Sequence, residues 1–386
     1  MSRVIGVICE YNPFHKGHKY QIDRIRELED NAIIVAIMSG NIVQRGEFAI
    51  IDKYYRTRMA LKCGVDAVFE LPYPYSGSTA EIFANAGVEL AYRLGCDAIY
   101  FGTEKSSIAE IENVAAAIDS PDFDESVRLE MANKSVSYIL AKERALLNVG
   151  ITLPKSANDM LGVEYVRAIK NKGLNLKYNA IQRMGSFYND IGISEMMSAS
   201  AIRRNFYASN SFMSVPFDVM EIYDDIVVNR DYLDVQFANK FLQSYILLNG
   251  GKLAKAFDTC AEISALIEAA AKNNLSFESN LSSKVYTTAR LKRSILYALF
   301  DVENVDFTPK FTMLLGMNAK GQEHVNKIKK NSSIHIVTKH SDGKRMSLFL
   351  KNQLERLYLV DGLYYTLLVN RQPSSNAFKN KPIVIK

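Results

Sequence analysis

Two histidines in the run Asn12-Pro-Phe-His-Lys-Gly-His18 have the type and spacing that phosphate chemistry requires. The run follows an apolar segment typical of a buried strand and opens a predicted helix, so both imidazoles lie on one side of the first turn. Unpaired backbone N–H groups and the positive dipole end of that turn attract phosphate. His15 and His18 can hydrogen-bond the bridging oxygens of a triphosphate, and we predict that they stabilise charge as pyrophosphate leaves. Gly17 has no side chain, so an adenine or ribose can approach the backbone there.

Two other interpretations of the histidine pair stay open. The pair could bind a metal ion, but the sequence offers no third ligand in a suitable motif, and Cys9 lies inside the predicted strand. The pair could also be no more than a polar helix start. The order of strand, proline-containing loop and helix favours a nucleotide site over both.

A second candidate for phosphate chemistry is the run Ser198-Ala-Ser-Ala-Ile-Arg203. Its serines begin a predicted short helix, and the arginine follows one turn later. Ser198 and Ser200 at the helix N-terminus, with the Arg203 guanidinium, suit the β- and γ-phosphates of a nucleotide. The run is weak by itself and gains weight from the histidine pair upstream.

The elements that must position these residues alternate between strand and helix over the first 105 residues. Apolar and periodic patterns predict strands at 4–9, 32–38, 67–71 and 98–101, and helices at 16–29, 52–63 and 79–94. Strands joined through helices pair in parallel with right-handed crossovers, which defines a doubly wound α/β fold. Ligands in such sheets bind beyond the carboxyl ends of the strands, where the histidine run and Gly102 are expected to lie.

The second half of the chain has a different pattern. Residues 106–171 predict helices with breaks near Pro121 and Pro154, followed by a strand at 176–183 and a short helix at 198–206. Long amphipathic stretches then dominate from about 217 to 315, without a clear alternation of strand and helix. We predict a catalytic domain over 1–210 and a mainly helical region over 211–386, with the boundary in the loop 208–216.

Composition is that of an ordinary globular protein, with 48% hydrophobic and 23% charged residues in 386, a length that favours two domains. No apolar stretch is long enough to span a membrane, and the N-terminus lacks the pattern of a signal peptide. The four scattered cysteines predict buried free thiols in a reducing cytoplasm. We therefore expect a cytoplasmic protein.

Charge is distributed unevenly along the chain. The net charge is +5, but residues 327–386 hold 12 Lys and Arg against 3 Asp and Glu, a local balance of +9. A basic region on a near-neutral body indicates a polyanionic partner such as nucleic acid. A lysine-rich solvated surface would have the same composition.

The histidine run resembles the HxGH motif of the nucleotidylyltransferase superfamily, which also contains the class I aminoacyl-tRNA synthetases. That superfamily carries a second signature near the end of its domain, a Ser/Thr-rich helix start followed by Arg or Lys. The run that ends at Arg203 matches this signature. The resemblance implies an enzyme that transfers the adenylyl group of ATP.

Further segments make the resemblance more specific: Met38-Ser-Gly-Asn-Ile-Val-Gln-Arg-Gly-Glu47, Asp52-Lys53, Glu70-Leu-Pro72, Phe101-Gly-Thr-Glu104, Ser156-Ala-Asn-Asp159, Gln182-Arg183 and Leu314-Leu-Gly316. Together they resemble the bacterial tRNA(Met) cytidine acetate ligases along the whole chain. Phe48 stands where we expect a proline in that family. In the family, ATP and acetate form acetyl-adenylate, and the acetyl group passes to the exocyclic amine of the wobble cytidine of elongator tRNA(Met).

The resemblance also implies which residues hold ATP. The loop from Val7 to Tyr20, which includes Asn12, would cradle the nucleotide. Gly102 would let the backbone approach it, and Asn158 and Arg183 would complete the site. From the residues alone, Asn158 could instead cap a helix and Arg183 could be a surface arginine.

Basic clusters in the second half are candidates for contacts with RNA phosphates, which position RNA without reading its sequence. One cluster comprises Arg290, Lys292 and Arg293 on a predicted helix. The others are Lys327, Lys329 and Lys330, and the Lys344-Arg345 pair. Nearby tyrosines could stack on bases, but we favour core packing for each of them: Tyr297, Tyr358, Tyr364 and Tyr365.

The charges of the substrates constrain the mechanism. Acetate and the α-phosphate are both anionic, so cationic groups must neutralise the triphosphate, and we expect His15, His18, Lys16 and Arg203 to do so. Acetyl-adenylate is itself activated, so we assign neither a covalent intermediate nor a general base. Mg²⁺ is expected to accompany ATP, although no carboxylate cluster identifies its ligands. The cytidine amine must come from a splayed, single-stranded base.

Two other functions remain possible from the sequence. A small-molecule adenylyltransferase that forms a dinucleotide-type cofactor would use the same motifs, but it would usually need only the first domain. An RNA-binding protein with an inactive nucleotide site would not need an intact histidine run and Arg203.

Overall fold

The fold is described from a computed structural model that covers residues 2–132, 136–183, 196–273, 281–283 and 285–385. The strands are β1 (Val4–Cys9), β2 (Ile33–Ser39), β3 (Ile42–Val43), β4 (Glu47–Phe48), β5 (Ala67–Leu71), β6 (Ala98–Thr103), β7 (Lys177–Gln182), β8 (Phe311–Met317), β9 (His335–Val337) and β10 (Ile383–Val384). The helices of the first half are α1 (Lys16–Leu28), α2 (Lys53–Lys62), α3 (Ala80–Arg93), α4 (Ile108–Ile118), α5 (Phe123–Met131), α6 (Tyr138–Leu147), α7 (Ala157–Asn171) and α8 (Ala199–Ser209). Those of the second half are α9 (Met220–Asn229), α10 (Val235–Asn249), α11 (Ala261–Lys272), α12 (Thr288–Leu299), α13 (Ala319–Asn331) and α14 (Leu348–Thr366).

The central sheet confirms the predicted doubly wound class. Its strand order is β10-β8-β5-β2-β1-β6-β7, with β9 beside β8. The strands from β5 to β7 in this order all run parallel. Counted along the chain they follow the 3-2-1-4-5 order of a Rossmann-type half, which reverses between β1 and β6. The crevice at that reversal is where this fold binds its ligands.

Local sequence explains these elements. Strands β2 and β5 are apolar along nearly their whole length because helices cover both faces of the sheet. Helices α3, α4 and α7 begin where Thr79, Ser107 and Ser156 accept the N–H of the third residue that follows. Such caps satisfy donors that the helix itself cannot satisfy. The strands and helices predicted for residues 4–183 are all present, with boundaries shifted by one or two residues.

The second half contributes strands to the same sheet, which the sequence analysis did not predict. β8 pairs antiparallel with β5 and parallel with β9 and β10. The sequence pattern did not predict a strand at Phe311–Met317, because this segment is apolar on both faces and lacks the alternation of a half-buried strand. A short run of that kind does not distinguish a buried strand from a buried helix. The rest of this half is mainly helical, as predicted.

A buried ionic cluster attaches the long helix α14 to the sheet. The Lys53 ammonium lies 2.7 Å from a Glu70 carboxylate oxygen and 2.5 Å from one of Asp361, and all three side chains are buried. Asn41 donates a hydrogen bond to Asp361 at 3.0 Å. Burial raises the pKa of both carboxyl groups, and the lysine opposes that effect. Removal of one partner would leave a buried charge uncompensated, which costs about 3–5 kcal/mol.

Within the described residues, no helix is both long and apolar enough to cross a membrane. All four cysteines are free thiols, two of them buried and two half-buried.

Candidate active site

The histidine run lies at the crevice that the strand order defines. β1 pairs with β2 on one side and with β6 on the other, so its carboxyl end opens at the point where the order reverses. Helix α1 begins there with His15 as its N-cap residue. The loop after β6, which starts at Glu104, faces the same crevice. The structure therefore brings the first helix N-terminus and the Gly102 segment to one edge of the sheet.

The two imidazoles are stacked and are held by backbone hydrogen bonds. Their ring centroids are 3.7 Å apart with 22° between the planes. Nδ1 of His15 accepts the N–H of Gly17 at 3.0 Å, and Nδ1 of His18 accepts the N–H of His15 at 3.2 Å. Because both Nδ1 atoms are acceptors, this network assigns the proton of each neutral ring to Nε2. Each ring then presents one N–H donor.

The surroundings of both imidazoles disfavour their protonated forms. Burial, assisted by the charge of Arg183, lowers the pKa of His15 to about 3. Burial, His15 and Arg183 lower the pKa of His18 well below its usual value. A buried pair beside a guanidinium disfavours protonation, so this geometry favours hydrogen bonding to phosphate over donation of positive charge. The role of the two histidines toward phosphate stays a prediction.

Gly17 is required by the position of the His15 ring. A Cβ atom on Gly17 would lie 2.9 Å from Cε1 and 3.1 Å from Nδ1 of His15. The approach of a nucleotide is one reason for a glycine at this position, and the nearby His15 ring is a second. Lys16 begins the helix, with its N–H bonded to the carbonyl of Ser214.

Helix α8 is attached directly to the histidine loop. Arg203 donates to the carbonyl of Asn12 at 2.6 Å and to the Ser200 hydroxyl at 3.4 Å. Ser198 caps the helix by accepting the N–H of Ala201 at 3.2 Å. Asn12 is buried and accepts the N–H of Ile50 at 2.9 Å. The two runs that the sequence analysis selected, almost two hundred residues apart, thus meet at one point.

Asn158 and Arg183 meet at the other wall of the crevice. The side chain of Arg183 covers Gly102, since a Cβ there would lie 3.2 Å from its Cγ. Asn158 donates to a Glu104 carboxylate oxygen at 2.8 Å, and the Arg183 guanidinium lies 3.9 Å from the same atom. Asn158 does not cap α7, because Ser156 does so. Arg183 is partly exposed, and its charge acts on both histidines.

Asp159 supports this wall, a role that the sequence analysis missed. It is buried and accepts the N–H groups of Glu104, Lys105 and Ser106, the first at 2.7 Å. Although burial acts to raise it, these hydrogen bonds lower the pKa of Asp159. The carboxylate fixes the loop that carries Glu104. Its place in the quoted segment 156–159 was the available sequence signal.

Arg56 was also missed, and it supports the opposite wall. The fully buried guanidinium donates to the carbonyls of Glu10 at 2.6 Å, Ser39 at 3.0 Å and Gly40 at 2.6 Å. It thereby joins the carboxyl ends of β1 and β2. Glu10 in turn accepts the N–H of Gln44 at 2.8 Å. No local pattern marks a helical arginine as the partner of distant carbonyls.

A cavity of about 420 Å³ opens beside Arg203. Its lining combines cationic and aromatic side chains, among them Arg45, Phe48, Ser200, Arg203, Tyr207 and Lys292. Phe48 pairs with Ile42 in a short antiparallel hairpin, and its ring faces Tyr364. The backbone between the two strands turns at Gly46, whose φ of +73° favours glycine. The position where we expected a proline is thus part of an ordered hairpin.

Two residues of the predicted nucleotide loop are packed rather than polar. Val7 is buried within β1, and Tyr20 lies on α1 against the apolar core. Their contact with ATP stays a prediction. The four tyrosines for which we favoured core packing (Tyr297, Tyr358, Tyr364 and Tyr365) are all buried, which confirms that interpretation.

The structure separates the predicted RNA-binding residues into two groups. Arg290, Lys292 and Arg293 lie on α12, next to the hairpin at Gly46. Lys327, Lys329 and Lys330 lie on α13, which packs against the amino ends of strands through contacts to Asp66 and Leu94. That is the sheet edge opposite the histidines. Lys344 is exposed, and the side chain of Arg345 lies outside the described residues.

No group of three or more His, Cys, Asp or Glu side chains that could hold a metal ion occurs in the part of the chain that the structure describes.

Comparison with known proteins identifies relatives along the whole chain. A sequence model of the HIGH Nucleotidyl Transferase family matches residues 2–380. A tRNA(Met) cytidine acetate ligase from Caldicellulosiruptor bescii is 34% identical, with 87% of each chain covered. Another, from Thermosipho africanus, is 32% identical with 100% of each covered. The crystal structure of Thermotoga maritima TmcAL bound with alpha-thio ATP matches with a TM-score of 0.88 at 27% identity, covering 99% of both chains.

Fold, histidine pair and family match together define a nucleotidyltransferase of the HIGH type. Two tRNA(Met) cytidine acetate ligases are more than 30% identical to this chain over most of both lengths, which narrows the class to one family. The protein belongs to the tRNA(Met) cytidine acetate ligase family.

Proposed function

We propose that this protein is an ATP-dependent ligase that acetylates the wobble cytidine of elongator tRNA(Met). The observation that carries the proposal is the meeting of two neutral imidazole donors, Arg183 and a helix N-terminus at the crevice of the sheet. That arrangement suits a triphosphate. The similarity to acetate ligases over nearly the whole chain supports the choice of substrates.

In the first step a carboxylate oxygen of acetate attacks the α-phosphorus of ATP. The bond from that phosphorus to the bridging oxygen breaks, and pyrophosphate leaves with the electron pair. The Nε2–H groups of His15 and His18 donate to phosphate oxygens, and Lys16, Arg183 and Arg203 neutralise the negative charge. Fixed donors in a buried site stabilise developing charge without reorganising. The proposed contacts to the nucleotide are those predicted from the sequence: Val7, Asn12, Gly17, Tyr20, Gly102, Asn158, Arg183, Ser198 and Ser200.

In the second step the exocyclic nitrogen of cytidine attacks the acetyl carbon. AMP leaves, and the nitrogen loses one proton. We propose that the cytidine enters the cavity beside Arg203, whose volume of about 420 Å³ is sufficient for a nucleotide. Phe48 and Tyr207 offer aromatic faces to a base, and Lys292, which is paired with Glu47 at 2.8 Å, would exchange this partner for the phosphate. A base reaches such a cavity only when it is unpaired and splayed.

Magnesium fits this site only as a companion of the nucleotide. The described residues form no carboxylate cage, and Mg²⁺ commonly binds through substrate phosphates and water. When bound, it would neutralise triphosphate charge.

We further propose that residues 1–210 form the catalytic part and that residues 211–386 bind RNA. Arg290, Lys292 and Arg293 are the favoured contacts because α12 lies beside the cavity next to Arg203, which we call the acceptor cavity. Lys327, Lys329 and Lys330, at the opposite edge of the sheet, would contact a distant part of the tRNA. We propose a cytoplasmic location, where ATP and tRNA occur together.

The test is incubation of the purified protein with ATP, radiolabelled acetate and unmodified elongator tRNA(Met), followed by digestion of the RNA. We expect label in acetylcytidine, dependent on ATP and absent when the wobble cytidine is replaced by uridine. A variant of the exposed His335, His335→Ala, serves as the matched control and should keep full activity. Folded protein that binds ATP but leaves the RNA unlabelled would overturn the proposal.

A further inference from the structure

A second cavity lies on the other side of α12. Its volume is about 400 Å³, and its lining includes Thr79, Tyr138, Asp258, Tyr286, Arg290 and Arg293. It does not include the histidines, Arg183 or Arg203. The residues assigned to acetyl transfer therefore lie elsewhere, although Arg290 and Arg293 are among the proposed RNA contacts.

Arg293 is the unusual residue of this cavity. It is only 9% exposed, and its Nε atom is buried without a hydrogen-bond partner. Within the described residues its guanidinium makes neither an ion pair nor a hydrogen bond. Removal from water lowers its pKa. Burying an unpaired charge is costly, so proteins seldom do so without a ligand that completes it.

The neighbouring charges leave this guanidinium uncompensated. Asp258 is the acidic side chain of the lining, and its carboxylate is already bound by Arg290 at 2.7 Å. Arg290 also lies over the ring of Tyr286, and its own Nε is buried without a partner. Two guanidinium groups thus share one carboxylate in a walled space. Among the described residues, the cavity therefore has less negative than positive charge.

Packing alone does not explain an arginine at this position. A Cβ atom on Gly46 would lie 2.6 Å from the backbone N and 2.9 Å from the Cγ of Arg293, so the hairpin packs closely against this residue. An apolar side chain of similar length would fill the same path without burying a charge. The guanidinium is therefore the part of the residue that requires an explanation.

We propose that this cavity binds a phosphate group through Arg293 and Arg290, and that in the proposed reaction this phosphate belongs to the RNA backbone. Arginine matches phosphate with two parallel hydrogen bonds. Tyr138 and Tyr286 line the same cavity, and a base can stack on an aromatic ring whose second face is open. Lys292, the residue before Arg293, lines the acceptor cavity on the opposite side of α12. One strand of RNA passing over α12 would reach both cavities.

The choice of RNA as the ligand rests on the proposed function, whereas the existence of a phosphate site does not. A free anion has the same chemistry, so the experiment needs two probes. The first is fluorescently labelled, unmodified tRNA(Met), with binding followed by anisotropy over a range of salt concentrations without ATP. The second is inorganic phosphate, followed through the thermal unfolding midpoint. Acetate-dependent ATP–pyrophosphate exchange, measured without RNA, reports the first chemical step separately.

The variants are Arg293→Met, Asp258→Asn and, as control, Lys310→Met at an exposed site. We expect Arg293→Met to weaken RNA binding by roughly tenfold and to reduce the salt slope by about 0.9, because one phosphate contact is lost. It should also raise the unfolding midpoint by roughly 1–3 °C, because an unpaired buried charge is removed. Asp258→Asn should strengthen phosphate binding. The control and the exchange reaction should not change.

The outcomes separate the possible conclusions. Equal RNA and phosphate binding by wild type, Arg293→Met and Asp258→Asn would overturn the proposal. Loss of phosphate stabilisation with unchanged RNA binding would keep the phosphate site and refute RNA as its ligand. If Arg293→Met does not fold, Asp258→Asn decides, because unchanged or weaker phosphate binding would contradict the charge deficit. Absence of pyrophosphate exchange in wild type would instead count against the proposed function.

Discussion

The side chain of His18 allows its two nitrogens to be tested separately. Nδ1 accepts the backbone N–H of His15, and Nε2–H is the donor that we assign to phosphate. In His18→Asn, the amide oxygen takes the place of Nδ1 and the distal donor is lost. In His18→Gln, the amide nitrogen reaches the place of Nε2 and the proximal acceptor is lost. The pair of variants therefore exchanges one function for the other.

The magnitude follows from the burial of the site. A fixed donor to a developing anion in such a site contributes on the order of 3 kcal/mol, which corresponds to about a hundredfold in rate. We expect His18→Asn to lose about that factor in kcat with little change in stability. His18→Gln should lose about 1 kcal/mol of stability with the cap and only about tenfold in rate.

Acetate-dependent ATP–pyrophosphate exchange measures the rate, and thermal unfolding measures the stability. His335→Ala is the matched control, because that histidine is exposed. Activity of His18→Asn within threefold of wild type would refute the assignment of Nε2–H as the phosphate donor. Equal losses in both folded variants would refute the separation of the two nitrogens.

Three further predictions concern pH, space and buried charge. Burial lowers the pKa of His15 to about 3, so between about pH 6.5 and 3 the unfolded chain binds a proton that the folded chain does not. The free energy of unfolding should therefore fall by about 1.4 kcal/mol for each pH unit of acidification because of this group. In His15→Asn, the plot of unfolding free energy against pH should be correspondingly shallower between pH 6.5 and 4.5. Parallel plots for the two proteins would contradict the lowered pKa. Gly17→Ala should displace the His15 ring, because Cε1 of that ring would lie 2.9 Å from the added Cβ. The displacement should lower kcat by about a hundredfold, while the stability of the nucleotide-free protein changes little. A normal rate of ATP–pyrophosphate exchange would show that the ring tolerates the methyl group. Lys53→Met should lower the free energy of unfolding by about 3–5 kcal/mol, because the Glu70 and Asp361 carboxylates then lie close together without a cation. Adding Asp361→Asn should recover much of the lost stability, as measured by denaturant titration. No recovery would mean that the lysine contributes packing rather than charge.

The sequence was sufficient for the parts of the fold that local patterns encode. Apolar runs and helix stops located β1, β2, β5 and β6, and the strand–loop–helix context placed the histidines at a crevice. β8 was missed because Phe311–Met317 has no alternation and stands among helices. Its role depends on a partner about 240 positions away, which no local pattern reports.

The candidate site was also predictable only where residue types and spacing indicate its chemistry. Residue types indicated that His15, His18 and Arg203 serve a phosphate, but not that burial disfavours protonation of the histidines. Asp159 and Arg56 act on backbone atoms of distant loops, and such contacts leave no mark on composition or spacing. The basic clusters on α12 and α13 looked alike in the sequence, whereas the fold placed them at opposite edges of the sheet.

The late position of β8 has a consequence for synthesis on the ribosome. β5 is buried along all five residues and needs a neighbour on each side, and the second neighbour follows roughly 240 residues later. At ~5–20 residues per second, translation leaves that edge open for on the order of tens of seconds. An open apolar edge pairs readily with other chains. The nascent chain therefore needs protection, for example by chaperones, until residue 317 has emerged, and fragments that stop earlier will tend to aggregate.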